Sequence, residues 1–315
     1  MEKQIANDLI DFIHESPTNF HAVLSIKKQL LEHGFKQLYS GEARHIEYGG
    51  KYFVTKNHSS LFAFVPGNGN LAEEGFKLIC AHSDSPTFRI KPHAEMPIEG
   101  KYLKLNTEVY GGPILYTWFD RPLSMAGRVM VKSDKPLKPT TQFVNFKRPL
   151  LVIPHLAIHF NRTVNEQGNP LSKQKDMLPV IAMINEKFEK DNFLLKLIAE
   201  EMHIPCEDIL DFDLTLYEYE KGTLFGLNNE FISSGRLDDL AMVHAGLQAL
   251  IDSDPCNKTK ILAIFDNEEV GSGTKQGAGS PILRTILERI ALAQECKAEE
   301  LDRAIHNSFM ISADM

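Results

Sequence analysis

The feature that most restricts what this chain can fold into is one texture that appears towards both ends and is interrupted between them. Lys77 to His82 (KLICAH) is a continuous apolar run that breaks into polar residues, as in a strand buried on both faces whose last residues emerge at a sheet edge. Lys260 to Phe265 repeats it, with helical periodicity before it at Leu237 to Ile251 and after it at Pro281 to Ala293. A further strand, read as buried, covers Ser308 to Ser312. Two helices open the chain, about Ile5 to His14 and Phe20 to Gly34, because Leu9, Ile13, Val23, Leu24, Leu30 and Leu31 recur at helical spacing around a Ser16-Pro17-Thr18 turn. Tyr52 to Val65 has strand texture. From Lys91 to Phe231 the runs are short and β-like, such as Gly127 to Val131 and Leu151 to Ile158, with one helix around Asn192 to Met202. The economical architecture is an α/β domain, residues 1–90 and 233–315, interrupted by a mostly β domain, residues 91–232.

Charge and hydropathy remove several function classes. Thirty-four Lys and Arg against 42 Asp and Glu leave a net charge of −8, so no basic surface is offered to nucleic acid or anionic lipid. The most apolar stretch, Leu150 to Phe160, is broken by Pro154 and His155 and falls short of the roughly 20 residues a membrane helix needs. The N-terminus lacks the apolar run of a secretory signal, and a cytoplasmic location is expected. Cys80, Cys206, Cys256 and Cys296 form no CxxC pair and are expected to be reduced, mostly buried thiols.

Chemistry concentrates in four clusters at strand ends or helix starts: His82-Ser83-Asp84-Ser85-Pro86, Gly235-Arg236-Leu237-Asp238-Asp239-Leu240, Asp266-Asn267-Glu268-Glu269-Val270-Gly271-Ser272, and Ser312-Ala313-Asp314. One such cluster is ordinary turn and cap chemistry. Together, a His with several carboxylates and no Cys is the ligand set of a pair of zinc, manganese or cobalt ions bridged by one carboxylate. Such a pair serves hydrolysis, with a free carboxylate taking the proton from a metal-activated water. Adjacent Glu268 and Glu269 suit this division, since neighbours leaving a strand point differently. Asp84, two residues after His82, is placed to accept its second ring N–H, though the same residues also make an ordinary surface turn.

These motifs in this order, with SPTNFHAV from Ser16, WFDRPLSMAGRV from Trp118 and HLAIHFNR from His155, resemble the aspartyl aminopeptidase family of dinuclear zinc metallopeptidases over essentially the whole chain. The resemblance implies a phosphorylase/hydrolase-like α/β catalytic domain with an inserted dimerisation domain, and dimers assembled into a tetrahedral dodecamer. It implies two Zn2+ per subunit, Mn2+ or Co2+ being alternatives, and cleavage of an N-terminal Asp or Glu from peptides. By position, His82 and Asp314 become ligands of one metal, Asp238 the bridge, Glu269 a ligand of the second, Glu268 the general base and Asp84 the orienter of His82. It also implies a cis Asp238-Asp239 peptide bond. His159, which from the residues alone reads as a satisfied histidine on a strand, becomes a group reaching the partner subunit's active site.

In the family the SADM strand runs on into AHAxHPN and a C-terminal portion with the last His ligand and substrate-recognising residues, whereas this sequence stops at Met315. The expectation is a truncated form with at most one metal and little activity. A catalytically dead assembly subunit is the alternative. A dinuclear hydrolase of another amide shares the metal logic, but DNEEVGS with GRLDDL argues against it.

Overall fold

The helical spacing at the N-terminus is realised as α1 (Glu2–His14) and α2 (Asn19–Glu32). The Thr18 hydroxyl accepts the His21 N–H and caps α2, so one short turn ends the first helix and starts the second. Strands β1 (Lys36–Gln37), β2 (Tyr52–Lys56) and β3 (Ser60–Val65) follow, then α3 (Leu71–Glu74) and β4 (Phe76–His82). Next come β5 (Thr87–Ile98), β6 (Tyr102–Tyr110), β7 (Leu123–Val131), β8 (Thr140–Asn145), α4 (Val164–Gln167), β9 (Val180–Met183), α5 (Phe193–Met202) and β10 (Ile209–Glu218). The remainder is β11 (Thr223–Phe225), β12 (Phe231–Ser233), α6 (Leu237–Ile251), β13 (Thr259–Phe265), α7 (Ile282–Ala293), α8 (Ala298–His306) and β14 (Phe309–Ser312). This computed structural model describes residues 2–184 and 192–315. Two units are distinct: Met1–Ser85 with Gly222–Met315, and Pro86–Lys221.

The first unit is a three-layer α/β sandwich around a sheet of order β1-β2-β3-β13-β4-β14. Alternation along β3 sends Leu61, Ala63 and Val65 to a core shared with α1, α2 and α6. Phe62 and Phe64 go to the opposite core, shared with α7 and α8. β13 and β14 lie parallel to β4 on its two sides, with Phe265 opposite His82 and Ser312 opposite Cys80. The C-terminal ends of three parallel strands therefore share one edge, where α/β folds place their sites.

In the second unit, β5 to β10 form an antiparallel sheet of order β8-β7-β10-β5-β6-β9, with α5 packing Leu194 and Ile198 into its core. Its strands reach 12 residues in β5, longer than the short runs expected.

Four expectations need correction. Leu151 to Ile158 makes only isolated bridges at Leu151, Val152 and Ile153, because Pro154 has no N–H to extend a ladder. His159 lies not on a strand but in an exposed 3₁₀ turn, Ile158–Phe160. β14 is exposed at all four positions, since it is an edge strand paired only with β4. All four cysteines are free, but only Cys80 is buried, being the one within a central strand. Helix α8 went unread in the sequence, although Leu301 and Ala304 line one of its faces. No helix among the described residues is long and apolar enough to cross a membrane.

Helix α6 lies close on the sheet because Gly246 has no side chain: a Cβ there would stand 2.8 Å from Leu262 Cδ1 and 3.1 Å from Ile79 Cγ2. Gly246→Val should destabilise the first unit by about 1–3 kcal/mol through overpacking, read as a lower urea midpoint with an unchanged slope.

Candidate metal centre

His82 ends β4 and is buried. Its backbone N–H donates to Asp239 Oδ2 at 3.0 Å. Its Nδ1 lies 3.0 Å from the Asp84 carbonyl oxygen and 3.4 Å from Asp84 Oδ1, so the ring is held from behind by one residue. Its Nε2 points the other way, 3.3 Å from Asp238 Oδ1, 3.8 Å from Asp314 Oδ1 and 4.0 Å from Glu268 Oε2. That nitrogen is buried and has no hydrogen-bond partner among the described residues, and the same holds for Asp238 Oδ1.

Asp238 and Asp239 stand at the start of α6, where the first turn departs from helical angles and the Asp238-Asp239 bond is cis. The two adjacent carboxylates differ in duty. Asp239 is buried and supports the His82 backbone, whereas Asp238 is half-buried and faces the His82 ring. Ser85 Oγ donates to the Asp238 carbonyl oxygen at 3.0 Å, tying the start of α6 to the segment after β4. Asp314, two residues past β14, is brought in by that strand's pairing, which continues with the Ala313 N–H donating to the Cys80 carbonyl at 2.8 Å.

The Glu pair lies in a 3₁₀ turn, Glu268–Val270, just past β13. Both of its first N–H groups are taken by Asp84: Glu268 N donates to Oδ1 at 3.1 Å and Glu269 N to Oδ2 at 3.2 Å. One buried carboxylate thus fixes the His82 ring and the backbone carrying both glutamates. Glu268 is exposed and Glu269 half-buried.

The electrostatics record how many like charges are crowded here. Burial pushes Asp239 up to about 7, aided by the charges of Asp314 and Asp238 and opposed by His82. Burial likewise raises Glu269 to about 7, reinforced by Asp238 and Asp84. For His82 burial disfavours protonation, but the hydrogen bond and charge of Asp84, then the charges of Asp239 and Asp238, outweigh it and lift the imidazole to about 9. A cation relieves the same crowding.

One potential ligand atom from each of His82, Asp238, Asp239 and Asp314 lies within 4.8 Å of the other three. An orphaned imidazole nitrogen facing carboxylate oxygens fits a borderline divalent ion such as zinc. Glu269 is not in this tight group, although the charges acting on it are those of the same cluster. His159 belongs to the second unit. Asp239 was overlooked as a separate actor in the sequence; its adjacency to Asp238 was the available signal, but only the turn geometry distinguishes their duties.

The family profile of aminopeptidase I zinc metalloproteases (M18) matches residues 12–315. The chain belongs to this family. The "Probable M18 family aminopeptidase 2" of Clostridium acetobutylicum is 56% identical over 313 residues, covering 99% of this chain and 72% of its own length. A chain in the cryo-EM structure of the Ape4 and Nbr1 complex superposes with a TM-score of 0.91 at 38% identity, over 99% of this chain and 63% of that one. Our chain thus spans less than two thirds of that protein. The S. cerevisiae mApe1 dodecamer superposes with a TM-score of 0.83 at 28% identity, over 99% of this chain and 71% of that one.

The raised pKa values of this cluster set a pH dependence for the metal-free protein. His82 titrates near 9 in the fold against an unfolded value of about 6.5, so the stability from its charged form is complete below pH 6.5 and lost as pH rises through 9. Asp239 and Glu269, both raised to about 7, have the same sign and lose their contribution between about pH 4 and pH 7. Chelator-treated protein should therefore melt at a lower temperature at pH 9.5 than at pH 6. Added Zn2+, which requires deprotonated ligands, should reduce or reverse that difference. Differential scanning fluorimetry with and without EDTA reads both.

Proposed function

We propose that this chain carries the catalytic centre of a metal-dependent aminopeptidase that removes an N-terminal residue from peptides. The observation that supports this most directly is His82 Nε2, buried without a hydrogen-bond partner and facing Asp238, Asp314 and Glu268. In this reading His82, Asp238 and Asp314 hold one ion, Asp238 and Glu269 contribute to a second, and Asp239 serves as backbone support. Two bound ions would polarise the scissile carbonyl and lower the pKa of the attacking water. Glu268, exposed and 4.0 Å from His82 Nε2, takes the proton from that water and passes it to the departing amine. Asp84 keeps Nδ1 of His82 engaged, so that Nε2 remains the ligand atom. Preference for Asp or Glu rests on the motif resemblance to aspartyl aminopeptidases. A cytoplasmic setting is in keeping with four free cysteines.

A homo-oligomer is part of the proposal, supported by the dodecameric assembly of the S. cerevisiae relative. The second unit would serve as the dimerisation domain, presenting the exposed His159 to a partner's active site.

Glu268→Gln should leave metal content unchanged and lower turnover of an N-terminal Asp or Glu substrate by roughly 10²–10⁴, whereas Glu269→Gln should lower metal occupancy. Elemental analysis beside the peptidase assay separates the two, and exchanged phenotypes would reverse the roles. In mixed dimers, His159→Phe paired with Glu268→Gln should recover activity, because one of the two sites then holds both wild-type groups. No recovery in verified heterodimers would remove His159 from the mechanism.

A further inference from the structure

We infer that Asn19, the first residue of α2, is a positioning residue for the Glu268-Glu269 turn and acts through the buried carboxylate of Asp266. The inference rests on the metal-centre reading and adds to it a residue from the N-terminal helical hairpin. Asn19 Nδ2 donates to Asp266 Oδ1 at 2.9 Å, across 247 positions of sequence. The other end of the amide is engaged as well, since Asn19 Oδ1 accepts the Phe20 N–H at 3.0 Å. That contact fixes which end of the side chain is the donor. Asp266 is almost fully buried, and its Oδ1 also accepts the Asn267 N–H at 2.8 Å.

Asn267 is where the chain turns out of β13. It sits in the left-handed region with φ 62°, which asparagine adopts more readily than most residues but which still needs neighbours to hold it in place. The surroundings do so at several atoms. Its N–H is held by Asp266, and its Oδ1 accepts from Thr274 Oγ1 at 2.8 Å and Gln276 Nε2 at 2.9 Å. Its carbonyl accepts the Ser272 N–H at 2.8 Å. The next two N–H groups are those of Glu268 and Glu269, which reach Asp84. Asn19 therefore stands at one end of a path of two hydrogen bonds that reaches Asn267 through Asp266, and the backbone of Asn267 runs directly into the glutamate turn.

Without the Asn19 donor a buried carboxylate loses a partner, and the accessible relief is reorientation of Asp266, which carries Asn267 with it. Partners that hydrogen-bond a metal ligand directly affect metal affinity by roughly 10–100-fold, and Asn19, which acts through Asp266 and the backbone of Asn267, should affect it less.

Co2+ is a suitable probe because its visible absorption reports ligand geometry without turnover. Asn19→Asp keeps the shape and the acceptor for the Phe20 N–H while replacing the donor with a like charge. Thr274→Val removes the hydroxyl holding Asn267 from a half-buried position and serves if Asn19→Asp fails to fold. Asn70→Ala, which removes the cap of α3, controls for general destabilisation. With the full 315-residue chain, both network variants should bind Co2+ more weakly, by up to about 10-fold, and with an altered spectrum, and Asn70→Ala should match wild type in both. Wild-type affinity and spectrum in the folded network variants, or equal changes in Asn70→Ala, would overturn the inference and leave the metal centre standing. A wild-type chain that does not bind Co2+ would overturn the metal centre and this inference with it.

Discussion

Parallel pairing of β13 and β14 on either side of β4 brings three strand ends to one edge, with Phe265 beside His82 and Ser312 beside Cys80. The register is held by burial on both faces. Leu262 and Ile264 belong to the core under α1, α2 and α6, while Ile261, Ala263 and Phe265 belong to the core under α7 and α8. A slip of one residue would exchange these sets and misplace every apolar side chain of β13. The site geometry is thus a by-product of core packing. Residues separated by more than 200 positions, such as His82 and Asp314, meet because the sheet between them admits one register.

Asp84 converts that coarse placement into a constellation. Its carboxylate takes the two N–H groups that open the Glu268 turn and lies against the His82 ring, so the imidazole and the glutamate turn are oriented from one anchor. Buried charge of this kind is tolerated only with such partners. Behind it, Ser83 Oγ donates to the carbonyl oxygens of Ser59 and Phe265, at 2.7 and 3.1 Å, and secures the segment between His82 and Asp84 to its neighbours.

Around this anchor the fold gathers more negative charge than its local hydrogen bonds offset. Asp239 and Glu269 are both raised to about 7 by burial first and by one another's neighbours second, and the His82 imidazole is drawn up to about 9. A protein that buries carboxylates beside an imidazole nitrogen with no hydrogen-bond partner has a site for positive charge. Membership of a zinc metalloprotease family supports a metal cofactor as that charge.

By itself the sequence determined the alternation of elements and the chemistry available to them. The apolar runs at Lys77 to His82 and Lys260 to Phe265, and the helical spacing of Leu237 to Ile251, could be read because burial on two faces or one leaves a periodic trace in composition. The four clusters and their family likeness could be read because metal chemistry demands few residue types. What only the tertiary structure decided were facts without local period. That β14 is an exposed edge depends on its having a single neighbour, and an apolar run looks alike at an edge or a centre. The different duties of Asp238 and Asp239 go with a first helical turn whose backbone departs from helical angles. The reach of Asn19 to Asp266 follows from the packing of a helical hairpin on a sheet, a contact between residues whose spacing in sequence carries no signal of their meeting.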